Sequence, residues 1–264
     1  MAHPPVTSVL ALEGAVSMAT YAADARIAAQ VSGYWTMRLD EPPARLRIVP
    51  DGRVDLVFDL LAGVAHVSGV RADAFVVEHT IPTRLLGVTL LPGVAPALFG
   101  VAVAELGRDW RPLATVLGPA ADALAAQLRD AEDAQRVALL ESFLMARLGR
   151  VDERIERAVR AIADADGDVD IACIGRESGA SGRNLSRLFH AWVGLSPKKF
   201  ARIVRAQAAL RMLTDPQRPD LSVVAETLGF ADQAHLTREV RAMAGAAPGR
   251  LAETFKTKAV SFKK

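Results

Sequence analysis

The sequence predicts an α+β fold in which a small antiparallel β-barrel or sandwich precedes an all-helical domain. Three observations predict it. Short β-type runs occur between residues 32 and 91, apolar residues adopt a helical spacing after Gly118, and the net charge changes sign between the two halves. We therefore expect a β-rich sensor or dimerisation domain over residues 1–118, a helical connector over 119–150, and a helical domain over 151–264.

The predicted strands are short runs rich in valine, leucine, isoleucine and aromatic residues, separated by proline, glycine and aspartate. They cover residues 32–39, 46–49, 54–60, 65–70, 75–81 and 85–91. In the third run Val54, Leu56 and Phe58 alternate with Asp55 and Asp59, so one face is apolar and the other acidic. Strands this closely spaced, with no helix between them, favour an antiparallel barrel or sandwich.

Residues 85–104 form an uncharged stretch of 20 residues that resembles a membrane span in hydropathy. Pro92, Pro96 and several glycines interrupt it, so we expect a buried strand, a turn and a short helix instead. The first basic residue is Arg26, which predicts no signal peptide. We expect a cytoplasmic protein with no membrane partner.

Apolar residues from Val137 to Ile162 recur in steps of three and four, which predicts one stripe along a helical surface. Gly149 is a candidate break between two helices. Two interpretations are open. The stripe packs within its own domain, or it forms the helix–helix seam of a homodimer, since charged residues such as Arg136 and Glu141 flank it.

The charge distribution favours a polyanionic partner for the second half. Residues 1–149 contain 12 arginines, no lysine and 16 acidic residues, a balance of −4, whereas residues 150–264 contain 20 basic and 14 acidic residues, a balance of +6. The single cysteine, Cys173, excludes a disulfide framework and a multi-cysteine metal site. No nucleophile triad, phosphate-binding glycine loop or paired-carboxylate motif stands out, so we do not expect an enzyme.

Residues 171–189 predict a helix-turn-helix unit. The first helix is expected to end at Gly179, because glycine adopts positive φ without steric cost, and Ser181 is a suitable N-cap for the second. The apolar residues expected between the two helices are Ile174, Leu185, Leu188 and Phe189.

The same arrangement returns 50 residues later. Ser222 is expected to cap a helix that turns at Gly229, Asp232 to cap the next helix, and Leu236 and Val240 to bury its inner face. A single helix–glycine–helix pattern is common in helical domains, whereas two in tandem are much more specific.

A predicted helix over residues 197–213, opened by Ser196-Pro197, separates the two units. At 1.5 Å per residue it spans roughly 25 Å. A rod of that length can place two recognition helices in successive major-groove segments, which lie roughly 34 Å apart. Arginine pairs there with guanine and glutamine with adenine.

Several motifs carry a family resemblance. They are residues 185–189 (Leu-Ser-Arg-Leu-Phe), 194–197, 224–230, 232–238 and 245–248. Through them residues 171–248 resemble the DNA-binding domain of the AraC/XylS family of bacterial transcription regulators. The resemblance implies that the second helix of each unit reads bases from its outer face. The residues expected on these faces are Arg183, Ser186, Arg187 and His190, then Gln233, Ala234, His235, Thr237 and Arg238.

Two of these residues have alternative roles. Arg187 could brace the domain through an acidic partner, and His235 could be a polar helix residue with no contact to DNA. The first unit also departs from the family pattern, because Gly175 stands where alanine is usual, and Ser178 and Ala180 stand where larger apolar residues are common.

Residues 33–35, 49–52, 54–58 and 86–93 resemble a poorly characterised domain that precedes such regulators. In the wider family this position is usually a cupin-like barrel that binds an effector, dimerises, or does both. Trp35, Asp51 and Asp55 are candidates to line an effector pocket; alternatively they are a core aromatic, a turn residue and a carboxylate facing water. His66 and His79 lack the His-x-His cluster of metal-binding cupins, so we expect no metal and no cofactor.

Together these observations predict a sequence-specific transcription regulator that binds double-stranded DNA and acts on RNA polymerase indirectly. A small-molecule effector or a homodimer partner would bias the DNA-binding domains through the helical connector. Two alternatives stay open: a cupin-like metal enzyme fused to a DNA-binding domain, and a helical protein-interaction module.

Overall fold

The computed structural model describes residues 9–215, 219–257 and 261–263. Its strands are β1 (Val9–Glu13), β2 (Ser17–Tyr21), β3 (Val31–Leu39), β4 (Ala44–Ile48), β5 (Val54–Asp59), β6 (Val64–Val67), β7 (Phe75–His79), β8 (Thr83–Leu90), β9 (Arg111–Pro112) and β10 (Ser261–Lys263).

Its helices are α1 (Ala95–Phe99), α2 (Ala114–Leu117), α3 (Pro119–Asp130), α4 (Asp133–Met145), α5 (Glu153–Asp164), α6 (Ile171–Ser178), α7 (Gly182–Trp192), α8 (Pro197–Thr214), α9 (Leu221–Thr227), α10 (Gln233–Ala244) and α11 (Pro248–Thr257), with a 3-10 helix at Val103–Leu106. The predicted α+β class is confirmed, and the uncharged stretch 85–104 is, as expected, a strand followed by a short helix.

The β region consists of two sheets that face each other. The larger has the order β10-β2-β3-β8-β5-β6-β9 and the smaller the order β1-β4-β7, and their pairings are antiparallel except for the parallel pair β10–β2. Met37 of the large sheet and Leu46 of the small sheet share one apolar core. The architecture is therefore a two-layer arrangement of strands.

The alternation in β5 decides what lies on each side of the large sheet. Val54, Leu56 and Phe58 are buried in a core shared with the helices, as the sequence pattern predicts. Asp55 and Asp59 lie on the opposite face, where they border a cavity between the two sheets. The acidic face of this strand is thus turned toward the interior of the sandwich.

The predicted helical stripe is buried within the chain, in two different cores. Leu140 and Leu144 on α4 pack, together with α3, against the back of the large sheet. The helix then breaks, and Ile155 and Ile162 on α5 belong to the core of the C-terminal helices. The apolar side chains of the stripe are already packed within one chain, so they do not support a helix–helix seam between two chains.

The two halves of the chain touch at a turn between β4 and β5. Val49 is buried in the core of the C-terminal helices. Gln207 on α8 is 5% exposed and donates through Nε2 to the carbonyl oxygen of Pro50 at 2.7 Å. A second contact joins the backbone nitrogen of Ala74 to the carbonyl oxygen of Met243 at 2.8 Å.

Candidate nucleic-acid interface

The first helix-turn-helix unit is built by α6 and α7. Helix α6 ends at Gly179, which has φ +75°, and Ser181 caps α7 by accepting a hydrogen bond from the backbone nitrogen of Asn184 at 3.4 Å. Leu185 and Phe189 are fully buried between the helices. A side chain at Gly175 would place its Cβ 3.0 Å from the carbonyl oxygen of Ala180, so the residue's small size permits this tight turn.

The second unit is built by α9 and α10. Gly229 has φ +66°, and Asp232 caps α10 by accepting from the backbone nitrogen of His235 at 2.5 Å. Leu236 and Val240 are fully buried, as expected. The predicted cap of the first helix is wrong by two residues: α9 begins at Leu221, so Ser222 lies inside it.

Helix α8 joins the two units as the sequence predicts. Ser196 caps it by accepting from the backbone nitrogen of Lys199 at 3.3 Å, and Pro197 occupies its first turn. It has 18 residues and therefore spans about 27 Å. Phe200 and Leu210 are buried on it, and it contacts α5, α7, α9, α10 and α11. This helix is the common support of both units.

On α7 the predicted residues take different positions. Arg183, Arg187 and His190 are exposed, whereas Ser186 is half-buried. Arg187 donates through Nη2 to Asn184 at 3.0 Å, so its partner in the structure is a neutral neighbour on the same helix, not an acidic brace. His190 borders a small pocket shared with Arg108, at the side of α7 nearer the β region.

On α10, Gln233, Ala234 and Arg238 are exposed, and Thr237 is half-buried. His235 is half-buried and accepts a hydrogen bond through Nδ1 from the backbone nitrogen of Ala231 at 3.2 Å. Its ring also meets Phe230 edge-on, with 5.5 Å between the centroids. His235 is therefore engaged in the turn of its own unit.

The three candidate effector-pocket residues lie around one cavity of about 330 Å³ between the two sheets. Asp55 Oδ1 accepts from Trp35 Nε1 at 3.3 Å and from Thr89 Oγ1 at 2.5 Å. Burial, and then the negative charge of Asp51, raise the pKa of Asp55 to about 6. Asp51 belongs to the turn that contacts α8, so the cavity adjoins the helical domain.

Residues 174–254 match a family model described as a helix-turn-helix domain. Over 120 residues the chain is 29% identical to the arabinose operon regulatory protein of Escherichia coli, a match that covers 42% of this chain and 41% of that protein. The Salmonella typhimurium protein of the same name gives the same identity over the same length. The match thus spans about two fifths of the length of these curated relatives. After this likeness we call the C-terminal helical region the AraC-type domain.

The N-terminal region matches one further family model, and two solved structures resemble the chain. Residues 19–109 match a domain of unknown function, DUF6597. A probable AraC family transcriptional regulator from Rhodopseudomonas palustris is 26% identical and covers 39% of this chain and 96% of its own, with a TM-score of 0.35. ToxT from Vibrio cholerae O395 is 11% identical and covers 95% of this chain and 97% of its own, with a TM-score of 0.46.

The sequence analysis missed the arginines that hold the AraC-type domain together. Arg205 on α8 donates to Asp168 at 2.7 Å and to the carbonyl oxygens of Gly167 and Gly229 at 3.1 and 3.3 Å. Arg202 forms two hydrogen bonds to Glu239, and Arg211 one to Asp166. The sequence did contain a signal for these ion pairs. Aspartates occupy every second position over residues 164–170, and the later helix α8 carries three arginines.

Two features are absent from the part of the chain that the structure describes. In the ranges 9–215, 219–257 and 261–263, no three His, Cys, Asp or Glu side chains converge as a metal site would require. No helix in that part of the chain combines the length and the apolar composition needed to cross a bilayer.

Proposed function

We propose that this protein is a sequence-specific DNA-binding transcription regulator. One observation carries the proposal. Arg183 and Arg238 are exposed on the second helices of the two units, and within the described residues neither has a hydrogen-bond or ion-pair partner. The arginines of α8, by contrast, are engaged in ion pairs with carboxylates of the same domain. Unpaired arginines on recognition helices suit guanine edges in the major groove.

The spacing supports simultaneous reading of two groove segments. Helix α8 joins the units and is about 27 Å long, which is somewhat less than one helical turn of DNA. Gln233 beside Arg238 adds a side chain suited to adenine. Lys198 and Lys199 are exposed at the start of α8 and suit phosphate contacts, which position a protein on DNA and make its affinity depend on salt.

The role of the N-terminal region is also part of the proposal. It binds an effector in the cavity between the sheets, mediates homodimer contacts, or does both, and performs no chemistry. The regulator works in the cytoplasm and affects RNA polymerase indirectly, through the promoter DNA that it occupies.

The contacts favour the turn between β4 and β5, rather than the helices 119–150, as the route from cavity to DNA. Pro50 binds Gln207, and Gly52 lies so close to Phe200 that a Cβ would come within 2.7 Å of its ring. Asp51, between them, lines the cavity. A ligand that shifts this turn acts directly on the helix that carries both units.

Selection of bound fragments from a random duplex library, with the full chain, tests the DNA-binding proposal. We expect an enriched motif with two segments about one helical turn apart. Arg238→Ala should cost about 1–3 kcal/mol and relax the preference within one segment, and Arg183→Ala within the other.

Arg160→Ala is the control, since it removes one exposed arginine from α5, outside the second helix of either unit, where Arg160 pairs with Glu156. It should leave the preference unchanged. Absence of any enriched motif, or an identical motif for wild type and Arg238→Ala, would contradict the proposed reading.

Hydrogen–deuterium exchange tests the route. Coupling is reciprocal, so DNA bound at α7 and α10 should change exchange in residues 49–53 of the wild type. Gln207→Leu removes the hydrogen bond to Pro50 and should abolish that change while the DNA motif persists. Unaltered exchange in residues 49–53 of the wild type on DNA binding would refute this route.

A further inference from the structure

The cavity between the two sheets has an apolar wall and an acidic floor. Its apolar lining includes Met37 and Leu85 of the large sheet, Leu46 and Phe75 of the small sheet, and Trp110. Its volume of about 330 Å³ lies at the lower end of the range for small-molecule sites. A single compact organic molecule would fill it.

Asp55 is the polar centre of this cavity. It is enclosed by protein and yet retains surface that borders the empty space. Its hydrogen-bond partners, Trp35 and Thr89, are both neutral, and its acidic neighbour Asp51 disfavours a second negative charge nearby. Within the described residues no cationic side chain forms an ion pair with it. A carboxylate placed in this way lacks the counter-charge that buried charges normally have.

The two arginines of the lining, Arg53 and Arg71, form no ion pair with Asp55. Arg71 is turned to other partners: its guanidinium lies 4.6 Å from the centroid of the Phe75 ring and 3.8–3.9 Å from Asp73 and Asp109. Arg53 also lines the cavity, and its charge lowers the pKa of Asp55 less than the hydrogen bonds from Thr89 and Trp35 do. An anionic ligand would therefore meet an uncompensated carboxylate at the floor of the cavity.

Trp35 is fixed beside this carboxylate by the fold. It pairs with Gly87 across β3 and β8, and a Cβ on Gly87 would come within 2.0 Å of the indole ring. Only glycine leaves room for the ring against the strand. Its Nε1 is thereby held toward Asp55, and a second indole, that of Trp110, borders the same cavity. Carboxylate and indole together are groups that recognise organic cations.

We propose that the cavity binds a small organic cation, whose ammonium or amidinium group pairs with Asp55 and whose apolar body fills the space beside Trp35. This assignment rests on the proposed regulatory function, since it names the class of effector that the N-terminal region would sense. Binding would place the ligand next to the Pro50–Gly52 turn and thus next to α8.

Two matched series of probes test the proposal by calorimetry on the full chain. One is phenethylammonium, 2-phenylethanol and 3-phenylpropionate, and the other is tryptammonium, tryptophol and indole-3-propionate. Within each series the body is similar and the charge of the terminal group changes. We expect the cation of at least one series to bind at least tenfold more tightly than its alcohol, and its anion to bind least.

Asp55→Asn should reduce the affinity for the cation at least tenfold and leave the affinity for the alcohol unchanged. The matched control is Glu78→Gln, which neutralises a surface carboxylate that is paired with Arg45 and does not line the cavity. Thermal unfolding of each variant verifies that it is folded before its affinity is compared.

Three results would overturn the proposal. They are a preference for the alcohol or the anion, equal cation affinity in wild type and Asp55→Asn, and no binding of any probe at millimolar concentration. The retention of duplex DNA by the unliganded chain is a separate measurement. A protein that retains DNA but binds no cation refutes the ligand class alone, whereas one that binds the cation but no DNA refutes the proposed function.

Discussion

Half-buried charged side chains have opposite surroundings in the AraC-type domain and in the cavity of the β region. In the AraC-type domain each such charge has a partner: Arg205 meets Asp168, and Arg211 meets Asp166. In the cavity of the β region, Asp55 has neutral hydrogen-bond donors and a second carboxylate as its neighbour. The first arrangement holds two helical units in register, whereas the second keeps a negative charge available.

This difference separates residues that stabilise the fold from residues kept for binding. Removing one partner of an internal ion pair destabilises a protein, because the other charge or its hydrogen-bond acceptors lose their donor. Neutralising a buried charge that has no counter-charge has the opposite effect. The two regions are therefore expected to respond to substitution with opposite signs.

Arg205→Ala should produce the largest effect. Arg205 is 21% exposed and satisfies two backbone carbonyls and one carboxylate at the junction of α8 with the second unit. We expect a loss of about 3 kcal/mol in the free energy of unfolding, as for other hydrogen bonds to charged groups. Urea unfolding measures this loss. Faster amide exchange in α9 and α10 than in α6 and α7 would show that the loss is concentrated in the second unit.

Arg202→Ala is the control from the same helix. Arg202 forms two hydrogen bonds, both to a single carboxylate, Glu239, and its side chain is 55% exposed. Exposed ion pairs contribute about 0.2–1 kcal/mol. If Arg202→Ala proved as destabilising as Arg205→Ala, the role assigned to burial here would be wrong.

Asp55→Asn should act in the opposite direction. The pKa of Asp55 is raised from 3.8 to about 6, so the folded state binds its proton more tightly than the unfolded state does. The cost of its charge is therefore absent below about pH 4, grows as the pH rises through this window, and is complete above about pH 6. Asp55→Asn should gain about 2 kcal/mol at pH 7.5 and nothing at pH 4.

Urea unfolding of both proteins between pH 4 and 7.5 measures this difference. Burial lowers the pKa of His79, which contributes a pH dependence of its own, but His79 is present in both proteins and cancels in the comparison. Asp59→Asn, the control on the same strand face, should gain nothing, because Asp59 accepts two backbone N–H groups. If the wild type were more stable than Asp55→Asn at pH 7.5, the charge of Asp55 would stabilise the folded state, which contradicts this prediction.

The sequence predicted the local elements well, because period and capping are local properties. The alternation of Val54, Leu56 and Phe58 and the glycine turns at Gly179 and Gly229 all appear where expected. It was silent on β1, β2, β9 and β10 and on the division into two sheets, since pairing is decided between distant segments.

The site was predicted less completely, for the same reason. The exposure of Arg183, Gln233 and Arg238 follows from helix faces and could be anticipated. The partners of Arg205 could not, because they lie 24 to 38 residues away. An acidic strand face has the same sequence pattern whether it borders water or a cavity. The sequence alone therefore could not decide the role of Asp55, because that depends on the small sheet that covers it.

Substitution of the two turn glycines, Gly179 and Gly229, should give the smallest difference in the free energy of unfolding. It compares a turn that borders an ion pair with one that does not. Both have φ near +70°, a conformation that costs an L-residue about 1–2 kcal/mol. A Cβ at Gly179 would meet nothing within 4 Å, whereas a Cβ at Gly229 would lie 2.2 Å from the Asp168 carboxylate. Gly229→Ala must therefore also displace Asp168 from Arg205, and should lose about 1 kcal/mol more than Gly179→Ala.

That excess should depend on Arg205, which makes it a test of the network and not of the turn alone. In an Arg205→Ala background Asp168 is free to move aside, so Gly229→Ala and Gly179→Ala should cost nearly the same. Urea unfolding of the single and double variants gives the coupling free energy. If the excess persisted without Arg205, the turn at Gly229 would owe its sensitivity to backbone conformation, and the ion pair would be incidental to the second unit.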